Sequence, residues 1–153
     1  MNKIRMIALA ACMAATLDAS AQEQEIRLFS HRGGRMEHDE NTLSAFQASY
    51  DAGYRGFETD IRMTRDGALV ITHDSSLERT TDGTGTVEEK TEAEIRRLRT
   101  KQGNKVLFLD ELLEFLKGKE GLYVEFEMKT KPEALYPEER LHAYCDKLYD
   151  AVM

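Results

Sequence analysis

Acidic side chains recur at alternate positions in two segments that predict β-strands. The first segment contains Glu58 and Asp60, and the second contains Glu125 and Glu127. Alternate residues of a strand point to the same face, so each pair of carboxylates shares one side of its strand. Three carboxylates drawn from the two strands suit a hard cation such as Ca²⁺ or Mg²⁺, which prefers oxygen ligands.

The second acidic segment also has a simpler interpretation. Its apolar residues Leu122, Val124, Phe126 and Met128 alternate with Tyr123, Glu125, Glu127 and Lys129. An antiparallel strand with one solvated face has this pattern. In a parallel strand covered by helices, the same charges would need a metal or counter-charges, because isolated buried charges are costly. The alternation alone leaves both interpretations open.

Two histidines, His31 and His73, each follow a segment that predicts a strand. Because α/β folds assemble their sites at the carboxyl ends of strands, the pair could act as general acid and base. A single loop histidine is more often a surface or capping residue. Arg32 and Lys129 are the cations best placed to hold an anion beside a metal, although salt bridging explains either of them alone.

The rest of the chain predicts strands that alternate with helices. The predicted strands cover residues 26–30, 55–61, 68–72 and 122–129, with a turn over residues 64–67. Predicted helices begin near Asn41 or Thr42, at the capping box Thr91–Glu94, at Leu109 and at Pro137. The inward residues of the first two helices are Leu43, Phe46 and Tyr50, and Ile95 and Leu98. Those of the last two helices are Leu109, Leu112, Leu113 and Leu116, and Leu141, Tyr144, Cys145, Leu148 and Val152. This order favours a parallel α/β sheet or barrel.

The N-terminus has the three parts of a secretory signal peptide. A basic stretch at residues 2–5 precedes an apolar run at residues 6–17 and a small-x-small pattern at residues 19–21. We expect removal of residues 1–21 and export of residues 22–153 to the periplasm or outside the cell, with no stable membrane span and Cys145 as the one remaining cysteine. The alternative is a lipoprotein anchored through Cys12.

Composition narrows the classes of protein further. The 153 residues include 28 acidic and 21 basic side chains, a formal net charge of -7, which argues against nucleic-acid binding. A closed eight-stranded α/β barrel needs about 250 residues, so the chain is short for that fold.

A series of motifs resembles the glycerophosphodiester phosphodiesterase family. In chain order these are His31-Arg32-Gly33, Glu40-Asn41-Thr42-Leu43, Gly56-Phe57-Glu58-Thr59-Asp60, Thr64-Arg65-Asp66-Gly67, His73-Asp74, Arg79-Thr80-Thr81 and Glu127-Met128-Lys129. The resemblance implies a TIM-like (β/α) barrel, a divalent metal and hydrolysis of a small glycerophosphodiester to glycerol 3-phosphate and an alcohol. It places metal ligands at Glu58, Asp60 and Glu127, acid–base histidines at His31 and His73, and phosphate contacts at Arg32 and Lys129.

The same comparison shows departures from the family pattern. Asp39 stands where the family usually has proline. Four predicted strands replace the eight of the family barrel, so we expect the chain to be the N-terminal part of a longer domain. Self-association to cover an open half-barrel and a catalytically inactive fragment that binds only a cation or phosphate are the alternatives. A related phospholipase acting on lysolipids is a third activity, and the nucleophile is either water or a substrate hydroxyl.

Overall fold

Four strands and four helices alternate over residues 27–153, the part of the chain that this computed structural model describes. In chain order they are β1 (Phe29–His31), α1 (Leu43–Asp51), β2 (Gly56–Met63), β3 (Leu69–Ile71), α2 (Glu92–Ile95), α3 (Leu109–Leu116), β4 (Tyr123–Met128) and α4 (Glu138–Val152). The signal peptide, Cys12 and Ile26 lie outside the described residues. The predicted α/β alternation is confirmed.

Strand β2 is the centre of a four-stranded sheet. Strand β1 pairs with it in parallel, with His31 opposite Glu58. On the other edge β4 is also parallel, with Asp60 opposite Glu127. Strand β3 is antiparallel to β2, so the predicted parallel sheet also contains one antiparallel pair. The predicted turn over residues 64–67 is the reason, because a parallel connection needs a crossover of a dozen or more residues.

The two faces of the sheet differ in what covers them. Side chains of the outer face, such as Phe57 and Ile61, pack against Phe46 of α1, Leu112 of α3 and Tyr144 of α4 in the main hydrophobic core. The apolar row of β4 packs against the same core. The opposite face, which we call the inner face, carries the acidic side chains of β2 and β4.

Most helix boundaries follow the predicted signals. Thr42 is the N-cap of α1 and its hydroxyl accepts a hydrogen bond from the Ala45 N–H at 3.3 Å. The capping box of α2 is present at Thr91 and Glu94. Gly118, with φ of 74°, follows the end of α3.

Several predicted inward residues are exposed. Leu43 is 43% exposed because the buried stripe of α1 is centred on Ala45, Phe46 and Ser49. Helix α4 buries Tyr144 and Leu148 alone, which leaves Cys145 and Val152 in solvent. The apolar stripes were therefore predicted too wide. None of the helices in residues 27–153 is long and apolar enough to cross a membrane.

Candidate functional site

Three carboxylates meet on the inner face of the sheet. Ligand oxygens of Glu58, Asp60 and Glu127 all lie within 4.8 Å of one another. The register explains this proximity, because Asp60 is directly opposite Glu127 and Glu58 precedes Asp60 by two residues on the same face. The Asp60 side chain is fully buried, Glu58 is 14% exposed and Glu127 is 53% exposed. The cluster is therefore buried at one end and open to solvent at the other.

Strand β4 combines the two interpretations of its charged row. It is parallel to β2, as the site interpretation required, yet Glu125 and Glu127 are exposed on an uncovered face. Lys129 is the member of the row that turns inward, with 15% of its side chain exposed. Exposure of this face to solvent therefore explains why charged residues alternate with apolar ones along β4.

The surroundings of Glu58 shift its pKa strongly upward. Burial, and then the neighbouring charge of Asp60, raise the pKa of Glu58 to about 7. A backbone hydrogen bond from the Arg32 N–H to Glu58 Oε2, 3.2 Å long, acts in the opposite direction. A positive charge among these oxygens would favour the ionised form.

Both predicted phosphate contacts lie against the carboxylates. Arg32 Nε is 3.1 Å from Asp60 Oδ2, and Lys129 Nζ is 3.0 Å from Asp60 Oδ1 and 2.5 Å from Glu127 Oε1. Burial lowers the pKa of Lys129, but Glu127 and Asp60 more than offset it, so the net shift is upward. The two cations balance the triad from opposite sides.

The donor set fits a hard divalent cation. All three groups offer carboxylate oxygen, and within residues 27–153 the buried Asp60 Oδ1 has no hydrogen bond, only the ion pair with Lys129 at 3.0 Å. A buried carboxylate oxygen needs positive charge beside it, and Ca²⁺ and Mg²⁺ take oxygen ligands of this kind. Glu58, Asp60 and Glu127 are the residues that could hold such an ion.

His31 ends strand β1 beside the triad. Its Nε2 lies 3.6 Å from Glu58 Oε2, and half of its side chain is exposed. Burial, followed by the charges of Arg32 and Arg35, lowers the pKa of His31. The ring is thus more readily neutral at neutral pH, and it borders both the acidic cluster and solvent.

His73 reaches the site by a route that differs from the predicted one. Because β3 is antiparallel, it runs back along β2, and the Thr72 N–H donates to the Asp60 carbonyl at 3.0 Å. The His73 charge also contributes to lowering the pKa of His31. His73 Nδ1 lies 2.6 Å from Asp74 Oδ1, which leaves Nε2 free of that contact.

Four further residues connect the site, and none of them was predicted to belong to it. Arg79 binds Glu40 through two hydrogen bonds of 2.9 and 2.8 Å and also contacts Asp74. Glu40 in turn pairs with Arg32 at 3.2 Å, and Asn41 Nδ2 donates to Asp60 Oδ2 at 2.9 Å. All four lie inside the motifs that carried the family resemblance, and that was the available signal.

The hydrogen bond from Arg79, and then that from His73, help to hold the pKa of Asp74 down at about 2, against the effect of burial. Asp74 is therefore ionised beside His73 at neutral pH. Through Arg79 and Glu40 a continuous set of ion pairs extends from His73 to Arg32.

The loop after β1 has an unusual backbone that points Arg32 at Asp60. Arg32 and Asn41 have φ of 54° and 57°, a region that non-glycine residues seldom adopt. The Asn41 N–H donates to the Arg32 carbonyl at 2.9 Å, and the Arg32 N–H donates to the Glu58 carbonyl at 3.0 Å. These bonds keep the loop over the carboxylates.

Asp39, which departs from the family pattern, fastens this loop to a neighbouring one. Its carboxylate accepts a hydrogen bond from Asn104 Nδ2 at 2.9 Å and another from the Thr100 hydroxyl. Its carbonyl accepts from the Thr42 hydroxyl at 2.7 Å. Asp39 therefore supports the residues that precede Glu40 and Asn41 without contacting the triad.

Comparison with known proteins finds the same family throughout. Residues 31–150 match the model of the glycerophosphoryl diester phosphodiesterase family. A glycerophosphodiester phosphodiesterase of Caldanaerobacter subterraneus subsp. tengcongensis is 36% identical over 123 residues, which are 74% of this chain and 50% of that protein. The human glycerophosphodiester phosphodiesterase 1 is 44% identical over 73 residues, 48% of this chain and 22% of that protein.

Solved structures agree with the sequence comparisons. A glycerophosphoryl diester phosphodiesterase from Silicibacter pomeroyi has a TM-score of 0.74 and 29% identity, covering 83% of this chain and 52% of that one. An Oleispira antarctica phosphodiesterase, solved with its product sn-glycerol-3-phosphate, has a TM-score of 0.70 and 29% identity, covering 82% and 52%.

The chain spans about half the length of two curated bacterial relatives that it matches, and about half of these barrel structures. Its sheet and helices thus represent part of a TIM-like (β/α) barrel. Since the family model matches most of the chain, this protein belongs to the glycerophosphoryl diester phosphodiesterase family.

Proposed function

We propose that this chain carries the catalytic residues of an exported, metal-dependent glycerophosphodiester phosphodiesterase. The reaction would hydrolyse a glycerophosphodiester to glycerol 3-phosphate and an alcohol. The observation that carries the proposal is the carboxylate triad, with Arg32 and Lys129 against it and His31 beside it. Membership of the family supports the reaction class.

In this mechanism Glu58, Asp60 and Glu127 hold Ca²⁺ or Mg²⁺. The bound cation would supply positive charge to the phosphodiester and to the extra charge that develops in the transition state. Arg32 and Lys129 now neutralise Asp60. With a cation bound, their donors can turn to the phosphate oxygens.

The two histidines move protons. One accepts the proton of the attacking hydroxyl, and the other donates a proton to the oxygen of the leaving alcohol as its bond to phosphorus breaks. Asp74 holds His73 by Nδ1, so Nε2 is the atom available for transfer. Water as nucleophile gives glycerol 3-phosphate directly, whereas a substrate hydroxyl gives a cyclic phosphate.

Turnover of glycerophosphocholine by the chain tests the proposal. Glu58→Gln removes a triad carboxylate and should abolish cation-dependent hydrolysis. Glu125→Gln is the matched control, because Glu125 faces Glu58 across the β2–β4 ladder but is exposed and outside the triad. Equal activity of the two variants would refute Glu58 as a ligand. Lysophosphatidylcholine, assayed in parallel, identifies a phospholipase if it is the faster substrate.

A second candidate function is binding without turnover. The chain spans about half of its relatives, and this observation favours a fragment that binds a divalent cation or phosphate alone. Calorimetric titration with Ca²⁺ and then with inorganic phosphate separates the two candidates. Binding without hydrolysis would support the second.

The domain boundary and the location belong to the same proposal. The N-terminal pattern supports cleavage after residue 21 and release of residues 22–153 to the periplasm or outside the cell. Mass spectrometry of the protein recovered from the periplasmic and membrane fractions tests this. A lipid on Cys12 would identify the lipoprotein alternative.

A further inference from the structure

A buried ion pair lies behind the site and has no part in the roles assigned above. Arg62 is on β2, two residues after Asp60, and Glu88 is in a short 3-10 turn. Arg62 Nη1 is 2.7 Å from Glu88 Oε1, and the two side chains are 6% and 2% exposed. Because two buried charges are costly, the sequence maintains this pair for a reason other than hydrophobic packing.

The remaining donors of Arg62 bind the backbone of two segments of the site. Arg62 Nε donates to the His73 carbonyl at 2.9 Å, and Nη1 donates to the Lys131 carbonyl at 2.9 Å. Lys131 is two residues after Lys129. The planar guanidinium therefore joins the backbone of the predicted acid–base histidine to the segment that carries the predicted phosphate lysine.

Glu88 also binds the His73 segment, together with a tyrosine that follows β4. Its Oε2 accepts a hydrogen bond from the Ser75 hydroxyl at 2.6 Å, two residues after His73. Its Oε1 accepts from the Tyr136 hydroxyl at 2.7 Å, in the segment that follows β4. The Val87 N–H, next to Glu88, donates to the Ser75 carbonyl at 2.9 Å. Arg62 thus contacts both segments directly, whereas Glu88 contacts the His73 segment and Tyr136, which lies further along the chain than Lys131.

We propose that Arg62 and Glu88 are a positioning pair that holds the His73 segment and the Lys129 segment at a set distance from the carboxylates of β2. The significance of this for catalysis rests on the proposed function. Neither side chain has a hydrogen bond or ion pair to the triad among the described residues. Arg62 acts through backbone carbonyls and Glu88 through side-chain hydroxyls, so they are positioning residues and not catalytic residues.

A serine-to-alanine comparison tests the mildest disruption. Ser75→Ala removes one hydrogen bond to Glu88 and leaves the ion pair in place. We expect amide hydrogen exchange of residues 73–76 and of Val87 to accelerate about tenfold, since local opening is measured this way. Ser76→Ala is the matched control, because Ser76 bonds to Glu78 on the exposed side. It should leave those amides unchanged.

Arg62→Lys tests the pair itself. Lysine keeps the charge but lacks the fork that binds Glu88 and two carbonyls together. We expect faster exchange in residues 72–76 and 129–131, with the core amides of Phe46 and Leu112 unaffected. Turnover of glycerophosphocholine should fall about tenfold or more in kcat, because small misplacements of reacting groups are expensive.

Two exchange results would overturn the inference. Uniform acceleration along the chain would mean that the pair stabilises the fold in general, and unaltered exchange in both site segments would mean that it holds neither. A wild-type chain without turnover would refute the proposed function, while the exchange comparison would still decide the role of the pair.

Discussion

Among individual residues, Asp60 has the largest number of partners in the site. It is fully buried and faces Arg32, Asn41 and Lys129, and it shares the triad with Glu58. A buried carboxylate needs compensation of this extent. Arg32 and Lys129, which compensate the charge of Asp60, are also the predicted phosphate contacts. Charge balance thus links the predicted metal ligands to the predicted phosphate contacts.

Cation affinity should fall as pH decreases below about 7. The pKa of Glu58 is raised to about 7 by burial and by Asp60, so below that pH its carboxyl takes up a proton that a cation must displace. We expect the Ca²⁺ affinity to decrease by up to about tenfold for each unit of pH below 7 and to level off above it. Calorimetry across that range measures the slope. Equal affinity on both sides of pH 7 would contradict the electrostatic description of Glu58.

Asp74 should contribute stability that acid removes. Chiefly through Arg79, its pKa is lowered to about 2, well below the ordinary value of an aspartate. A depressed pKa means that the contribution is complete above pH 4 and is lost as pH falls toward 2. Asp74→Asn should lower the free energy of unfolding by about 1–2 kcal/mol at neutral pH and by little at pH 2. Urea denaturation measures both, with exposed Asp51→Asn as the control; an equal loss at the two pH values would refute the linkage.

At the level of elements, the loop after β1 depends on its approach to helix α1. Gly33 has φ of 74°, and a Cβ at this position would lie 2.8 Å from the Ala45 Cβ. The adjoining Arg32 also has a positive φ. The loop therefore combines an unusual backbone with a contact too close for a side chain, and this combination places Arg32 over Asp60.

Gly33→Ala should be more destabilising than a substitution that changes the backbone preference alone. Gly103 has φ of 87° with nothing within 4 Å of its Cβ position, so Gly103→Ala isolates the left-handed penalty. We expect a loss of about 1 kcal/mol for Gly103→Ala and about 2–4 kcal/mol for Gly33→Ala. Chemical denaturation of the two variants checks this. Equal losses would show that the contact with Ala45 relaxes freely.

The sequence predicted the positions of the helices and strands better than it predicted strand direction and long-range contacts. Strand parity correctly put Glu58 and Asp60 on one face, and local caps located the helices. The antiparallel direction of β3 was not predicted, because the alternation of elements favoured a parallel sheet although residues 64–67 form a short turn. The chain of contacts from Asp74 through Arg79 to Glu40 joins residues up to 39 positions apart, and such contacts leave no local periodicity. Only the family motifs pointed to them.

For the whole molecule, one end of the inner face of the sheet carries exposed aromatic side chains. Phe29 and Tyr123, on either side of Gly56 in the sheet register, are 37% and 48% exposed, and their rings meet edge to face at 5.3 Å. Exposed aromatic groups on a sheet favour association. The chain covers about half of the related barrels, so a second copy could cover this face.

We therefore expect the purified chain to self-associate through the inner face. Tyr123→Lys should shift the equilibrium toward monomer in sedimentation velocity runs, because a charge replaces an aromatic contact. Tyr149→Lys is the control, since Tyr149 is 63% exposed on α4. A folded wild-type monomer at every concentration would contradict the expectation, as would an equal response to the two substitutions.

The most direct test of the central claim is hydrolysis of glycerophosphocholine by the purified chain with Ca²⁺ or Mg²⁺, with a chelator, and with His31→Ala. His142→Ala is the matched control, because His142 is exposed on α4. We expect hydrolysis that the chelator and His31→Ala both abolish and that His142→Ala leaves intact. Hydrolysis that persists in the chelator or in His31→Ala, or a folded chain with no hydrolysis at all, would contradict the claim.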